Sequence, residues 1–128
     1  MKNKAAPPCP CGSGLAYPRC CEPWHLGSPA PTAEALMRSR YSAYVLQLHD
    51  YLLATWHKST RPESLEDSPT RWLGLEVKRH ALDETDNNAA TVEFVARYRT
   101  EGRGHRLHEI SRFVREDGRW YYVAGDFS

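Results

Sequence analysis

The sequence predicts an α+β fold preceded by a small cysteine-bearing element, and three observations carry that prediction. All four cysteines of the 128-residue chain lie in "CPCGSGLAYPRCC", residues 9–21. Apolar residues then recur at spacings of three and four between Ala33 and Leu48. From Trp72 onward the apolar period changes to two, and turn residues cut the chain into strands. Helices first and an antiparallel meander second is the α+β order.

The bulk numbers set limits. The length suits one domain with a small appendage. Hydrophobic residues make up 41% and charged residues 26%, close to a soluble globular average. A core can therefore form without cross-links. A net charge of +1 gives no global nucleic-acid or membrane signal. No apolar run approaches the roughly 20 residues of a membrane-spanning helix. The start, MKNKAAPPC, lacks the apolar stretch of a signal peptide, so the expected compartment is the reducing cytoplasm.

In that compartment, clustered cysteines point to metal or redox chemistry. The spacing is C-x-C-x8-C-C, from Cys9, Cys11, Cys20 and Cys21. Four soft thiolates in one loop suit tetrahedral zinc, with Zn–S distances of about 2.3 Å. Gly12 and Gly14 let the backbone turn tightly, and Ser13 and the glycine amides are expected to donate to sulfur. Lys2, Lys4 and Arg19 are expected to offset the excess negative charge. His25 is the reserve ligand, should Cys20 and Cys21 be unable to reach one ion together. The compartment opposes disulfides. The spacing matches no common iron–sulfur pattern. No C-x-x-C is present for a catalytic dithiol. With no coordination position left open, the expected zinc is structural.

Residues 23–32, "PWHLGSPAPT", read as a linker. Thr32 is a helix N-cap, with Glu34 in the first turn. A helix is expected over about 33–48 and a shorter one over about 49–55, followed by a polar loop to residue 70. Leu73, Leu75 and Val77 then alternate with Gly74, Glu76 and Lys78. "DETDNN" and "EGRG" are turns, and Asp117-Gly118 marks a two-residue hairpin. That hairpin sets Glu116 opposite Arg119, Phe113 opposite Tyr122 and Ser111 opposite Ala124. A turn centred on Gly102-Arg103 sets Tyr98 opposite Leu107, Ala96 opposite Glu109 and Phe94 opposite Ser111. Opposed residues share a face. One face then carries Val92, Phe94, Ala96, Tyr98, Leu107, Phe113, Trp120 and Tyr122, and with them Glu109 and Ser111. The other carries Arg97, Arg99, Arg106 and Arg112, with Glu93 opposite Arg112.

Glu109 on an aromatic face is the sharpest local oddity, because a buried carboxylate needs a partner. The structural reading pairs it with Arg40 or a tyrosine hydroxyl, and it is the preferred one. The alternative reading makes the protein an enzyme or a small-ligand binder, with Glu109 as an acid, a base or a ligand contact in a pocket lined by Tyr44, Tyr98, Ser111 and Tyr122. The arginine face reads as a solvated surface, or alternatively as a grip on RNA phosphates or an acidic partner.

The run C-P-C-G-S-G-x-x-Y-x-x-C-C resembles the SEC-C motif, the zinc-binding module also found at the end of the SecA translocation ATPase. There the last ligand is often histidine, and here Cys21 stands in that place. Downstream, "TAEALMRSRYSAYV", "TWHKSTRP" and "LHEISRFVREDGRWYYV" resemble the YchJ family of small bacterial proteins. The resemblance implies a cytoplasmic protein with a SEC-C motif and linker over 1–30. It implies a cone-shaped domain similar to the nuclear-transport-factor-two-like fold over 31–128, with two or three helices on a curved antiparallel sheet. It also implies a protein partner for the knuckle: a SecB-like chaperone, the ribosome or a nascent chain.

Overall fold

The computed structural model describes residues 7–66 and 69–127. A 3-10 turn at Tyr17–Arg19 precedes α1 (Glu22–His25), α2 (Ala33–Leu46) and α3 (His49–Ala54). Four strands follow: β1 (Arg71–Leu82), β2 (Ala89–Thr100), β3 (Arg103–Glu116) and β4 (Arg119–Phe127). They form one antiparallel sheet in the order β1-β2-β3-β4. The α+β order is as expected. Among the described residues no helix is long and apolar enough to cross a membrane.

α2 begins where the N-cap signal puts it. The Thr32 hydroxyl accepts the Ala35 N–H at 3.0 Å. The helix stops at Leu46 because Gln47 adopts a left-handed conformation, φ 59°. It is covered on two sides. Tyr41 packs edge-on against Trp72 of β1, while Ser39 and Ser42 are buried against the N-terminal segment. A helix enclosed on two sides lacks a single apolar stripe. That is why buried Ser39, Arg40 and Ser42 escape a reading based on periodicity.

The last hairpin is the expected one. Asp117 and Gly118 have φ of 52° and 80°, as a type I′ turn requires. Glu116 faces Arg119 and Phe113 faces Tyr122. Beyond them a bulge leaves Val123 unpaired on β4, so Ser111 faces Gly125 instead of Ala124. The β2–β3 turn also differs from expectation. It is Glu101-Gly102, φ 53° and 78°, which keeps glycine at the second left-handed position; the expected centring would have put Arg103 there. Tyr98 therefore faces His105, Ala96 faces Leu107, Phe94 faces Glu109 and Thr91 faces Arg112. The shift is by two residues, so each side chain keeps its face. In β1, bulges at Leu73 and Lys78 reset the alternation. Leu73 points out, and Trp72, Leu75 and Val77 oppose Tyr98, Ala96 and Phe94.

Two further contacts position the sites. The chain after α3 pairs with β4: Tyr122 N–H donates to Thr55 O at 2.9 Å, and His57 N–H donates to Tyr122 O at 2.8 Å. The cysteine segment joins the main core, where Cys9, Cys11 and Cys21 lie in one cluster with Leu36, Met37 and Tyr41. Between them, the segment read as a linker starts in α1, and Trp24 packs onto that same cluster.

Candidate functional site

The cysteine loop is closed by its own backbone. Cys9 N–H donates to Leu15 O at 2.9 Å, and Gly12 N–H donates to Cys9 O at 3.1 Å. Gly12 and Gly14 have φ of 80° and 89°, a region that suits glycine. The 3-10 turn then folds Cys20 and Cys21 back. The Sγ atoms of Cys9, Cys11, Cys20 and Cys21 all lie within 4.8 Å of one another. Cys9, Cys11 and Cys21 are buried and Cys20 is half-buried. The Sγ–Sγ separations are 3.5 Å for Cys11–Cys20 and 3.9 Å for Cys20–Cys21. A tetrahedron with Zn–S bonds of 2.3 Å spaces its sulfurs about 3.8 Å apart, so the donor set fits a soft tetrahedral cation.

Charge makes the same point. Hydrogen bonding, above all with Cys21, lowers the Cys11 thiol to about 4. Burial raises Cys20 to about 11. The bond with Cys11, and then burial, push Cys21 up as well. One thiolate forms readily and the next ones are opposed; a dication removes that opposition. Ser13 Oγ lies 3.1 Å from Cys20 Sγ, as expected. Ser42 Oγ lies 3.4 Å from both Cys9 Sγ and Cys21 Sγ. Arg38 Nη1 donates to Cys11 O at 3.1 Å, bringing a positive charge that the sequence reading assigned to Arg19 and the two lysines. Lys2 and Lys4 lie outside the described residues.

His25 does not take the reserve position. Its Nε2 lies 2.8 Å from Ser39 O and its Nδ1 lies 2.6 Å from the Tyr17 hydroxyl. Both nitrogens are engaged, and adjacent Cys20 and Cys21 both reach the cluster.

A second concave site lies between α2 and the inner face of the sheet. It is a cavity of about 340 Å³ whose walls include Arg40, Tyr44, Trp56, Glu109, Ser111 and Tyr122. Glu109 is only 6% exposed. Its Oε2 accepts from the Ser111 hydroxyl at 2.7 Å and the Tyr122 hydroxyl at 3.1 Å. Arg40 is not its partner. Arg40 Nη1 donates to Leu52 O at 2.8 Å and Thr55 Oγ1 at 2.7 Å. The guanidinium lies over the Trp56 and Tyr122 rings, 5.0 and 4.7 Å from their centroids. Hydroxyls hold the carboxylate, and open space remains beside it. Tyr98 is not part of that wall: it stacks on His105 at 5.0 Å and packs on Trp72 at 5.4 Å.

Residues 32–125 match the family model described as the YchJ middle NTF2-like domain. The chain belongs to the YchJ family. A UPF0225 protein from Bordetella pertussis is 57% identical to this chain, with 98% of this chain and 97% of its own covered. Another, from Methylibium petroleiphilum, is 60% identical over 96% of this chain and 91% of its own. The solution structure of a SEC-C motif containing protein from Rhodopseudomonas palustris superposes with a TM-score of 0.81 at 35% identity, covering 92% of this chain and 96% of that one. A crystal structure of a SEC-C motif containing protein from Psychrobacter arcticus gives 0.79 at 31% identity, covering 97% and 84%.

On the outer face of this YchJ sheet, Arg97 lies opposite Arg106, and Arg99 lies opposite Arg71. All four are exposed, and among the described residues none forms an ion pair. Arg112 does not join them. It is six residues farther along β3 and pairs with Asp126 at 2.7 Å. Arg71 was missed because its place depends on the β1–β2 register, which no turn signal fixed. Ser42 and Arg38 were missed because they reach the cysteines from another element; the run "RSRYS" on a helix is the only local sign of a polar buried face.

Proposed function

We propose that Cys9, Cys11, Cys20 and Cys21 hold one structural zinc ion, and that the element it braces docks a protein partner. The observation that carries the metal reading is the convergence of four sulfurs within 4.8 Å of one another. Four thiolates complete a tetrahedral shell, so the ion supplies cross-linking and offers no open position to a substrate. Thiolates persist in a reducing compartment, which fits a cytoplasmic protein. The partner reading rests on the SEC-C likeness and on the exposed Leu15, within the cysteine loop, and Leu26, just beyond it. A SecB-like chaperone and the ribosome are the partners that likeness favours.

Elemental analysis of protein purified without chelator tests the metal and should give one zinc per chain. Iron, or no metal, overturns it. Binding to purified SecB-type chaperone and cosedimentation with ribosomes, each measured before and after chelation, test the partner. Association with one of them that is lost on chelation supports the reading, and indifference to both overturns it.

A further inference from the structure

The cavity under α2 carries chemistry that a structural metal does not use. Glu109 is held from three directions. Ser111 and Tyr122 both donate to Oε2. The third restraint is Gly125, which faces Ser111 across the ladder. A Cβ at position 125 would meet Glu109 Oε2 at 1.8 Å and Cδ at 2.5 Å, so the carboxylate lies directly over that glycine. A Cβ there would force the carboxylate or the β4 backbone to shift. Glu109 Oε1 is different. Among the described residues it has no hydrogen-bond partner, and it is not among the sealed polar atoms without one, so it keeps accessible surface at the cavity that Glu109 lines.

Arg40 shows the same asymmetry. Nη1 makes both of its hydrogen bonds. Nε and Nη2 have no partner among the described residues and are not sealed off either. The cavity thus offers a free acceptor at Glu109 and free donors at Arg40. Tyr122 joins the two poles, its hydroxyl on Glu109 and its ring against Arg40. The rest of the lining is mostly apolar, with Trp72, Phe94 and Leu107 among it. Its volume of about 340 Å³ falls within the range of roughly 300–1,000 Å³ typical of small-molecule sites.

The structural role expected of Glu109 is met by the Ser111 and Tyr122 hydroxyls, both on Oε2; the open space beside the carboxylate is surplus to that role. Two polar groups held by second partners, each with one face free, form a complementary pair for a ligand edge. We propose that this cavity binds a small flat ring compound that presents an N–H to Glu109 Oε1 and a carbonyl oxygen to Arg40. The apolar walls enclose the ring, and the two polar contacts fix its orientation. No covalent step is involved.

The test is a titration of the zinc-loaded full chain followed by amide NMR. The probe is 4-quinazolinone, whose two fused rings carry an N–H beside a carbonyl; naphthalene is its apolar counterpart of similar shape. The quinazolinone is expected to shift amides around Glu109, Ser111 and Tyr122 saturably at concentrations up to roughly 10 mM, a range suited to a fragment. Naphthalene should bind at least about tenfold more weakly, since it leaves both polar groups unmatched. Glu109→Gln is the sharper arm. The amide oxygen can keep the bonds from Ser111 and Tyr122, which turns an NH₂ toward the cavity, donor against donor. Binding should fall by about tenfold or more. Ala96→Leu narrows the cavity from β2 and leaves Glu109 itself unchanged, and should abolish binding even if Glu109→Gln proves unfolded. No saturable shift, equal binding of naphthalene, or undiminished binding by a folded Glu109→Gln or Ala96→Leu protein overturns the proposal.

Discussion

His25 donates from Nε2 to the main-chain oxygen of Ser39 across 2.8 Å, and so ties α1 to the middle of α2. A carbonyl has no proton to give, so the ring proton sits on Nε2. Nδ1 is then the acceptor for the Tyr17 hydroxyl at 2.6 Å. The ring also packs edge-on against Tyr51 at 4.7 Å. This histidine braces the cysteine loop from outside its sulfur set.

His25→Phe keeps the ring volume and loses both hydrogen bonds. It should cost about 1–3 kcal/mol in urea unfolding, while the zinc content stays at the wild-type value. Loss of the metal would make His25 a ligand after all. Burial also lowers the His25 pKa, so the folded state favours the neutral ring. Its contribution is then full above the ordinary histidine value of about 6.5 and fades as pH falls below it. That part of the acid destabilisation should be missing from His25→Phe.

Gly125→Ala should destabilise the chain by about 1–3 kcal/mol, because the new methyl must displace the Glu109 carboxylate or shift β4. In a Glu109→Ala background the same change should cost less, with a coupling of about 0.5–3 kcal/mol. Denaturant unfolding of the four proteins in the cycle measures it. Losses that simply add would show that the carboxylate does not lie over residue 125.

Arg97 and Arg106 face each other across β2 and β3, and among the described residues neither forms an ion pair. Arg97→Glu should therefore stabilise the sheet by about 0.2–1 kcal/mol at low salt. The gain should shrink as salt approaches about 1 M, where screening reaches a few ångströms. Thermal unfolding at two ionic strengths checks both. A loss of stability would mean that the arginines gain more from packing than they lose by repulsion.

These residues also mark what could be read from the sequence. Cys9 to Cys21 were legible because ligand chemistry and spacing are local. The face of Glu109 was legible because a slip of two residues in a strand preserves parity. Its partners were less so: the β2–β3 turn moved by one position, and the bulge at Val123 brought Gly125 beneath the carboxylate. Bulges leave little trace in composition, since they answer to the twist of the whole sheet. Ser42 and His25 were out of reach for a different reason. Their partners are thirty-three and fourteen residues away in the chain, and nothing local announces such contacts.

The pairing of residues 55–57 with Tyr122 has a consequence for how this protein meets others. It caps part of the outer edge of β4. At the opposite margin, β1 is bent by bulges at Leu73 and Lys78 and carries exposed Lys78 and Arg79. Neither margin offers a long flat row of free main-chain groups, the template on which sheets fuse end to end or accept a foreign strand. Edge-to-edge growth is disfavoured at both borders. A companion that docks on the faces of the molecule instead recognises side chains, so discrimination there rests on shape and charge and not on a shared backbone pattern.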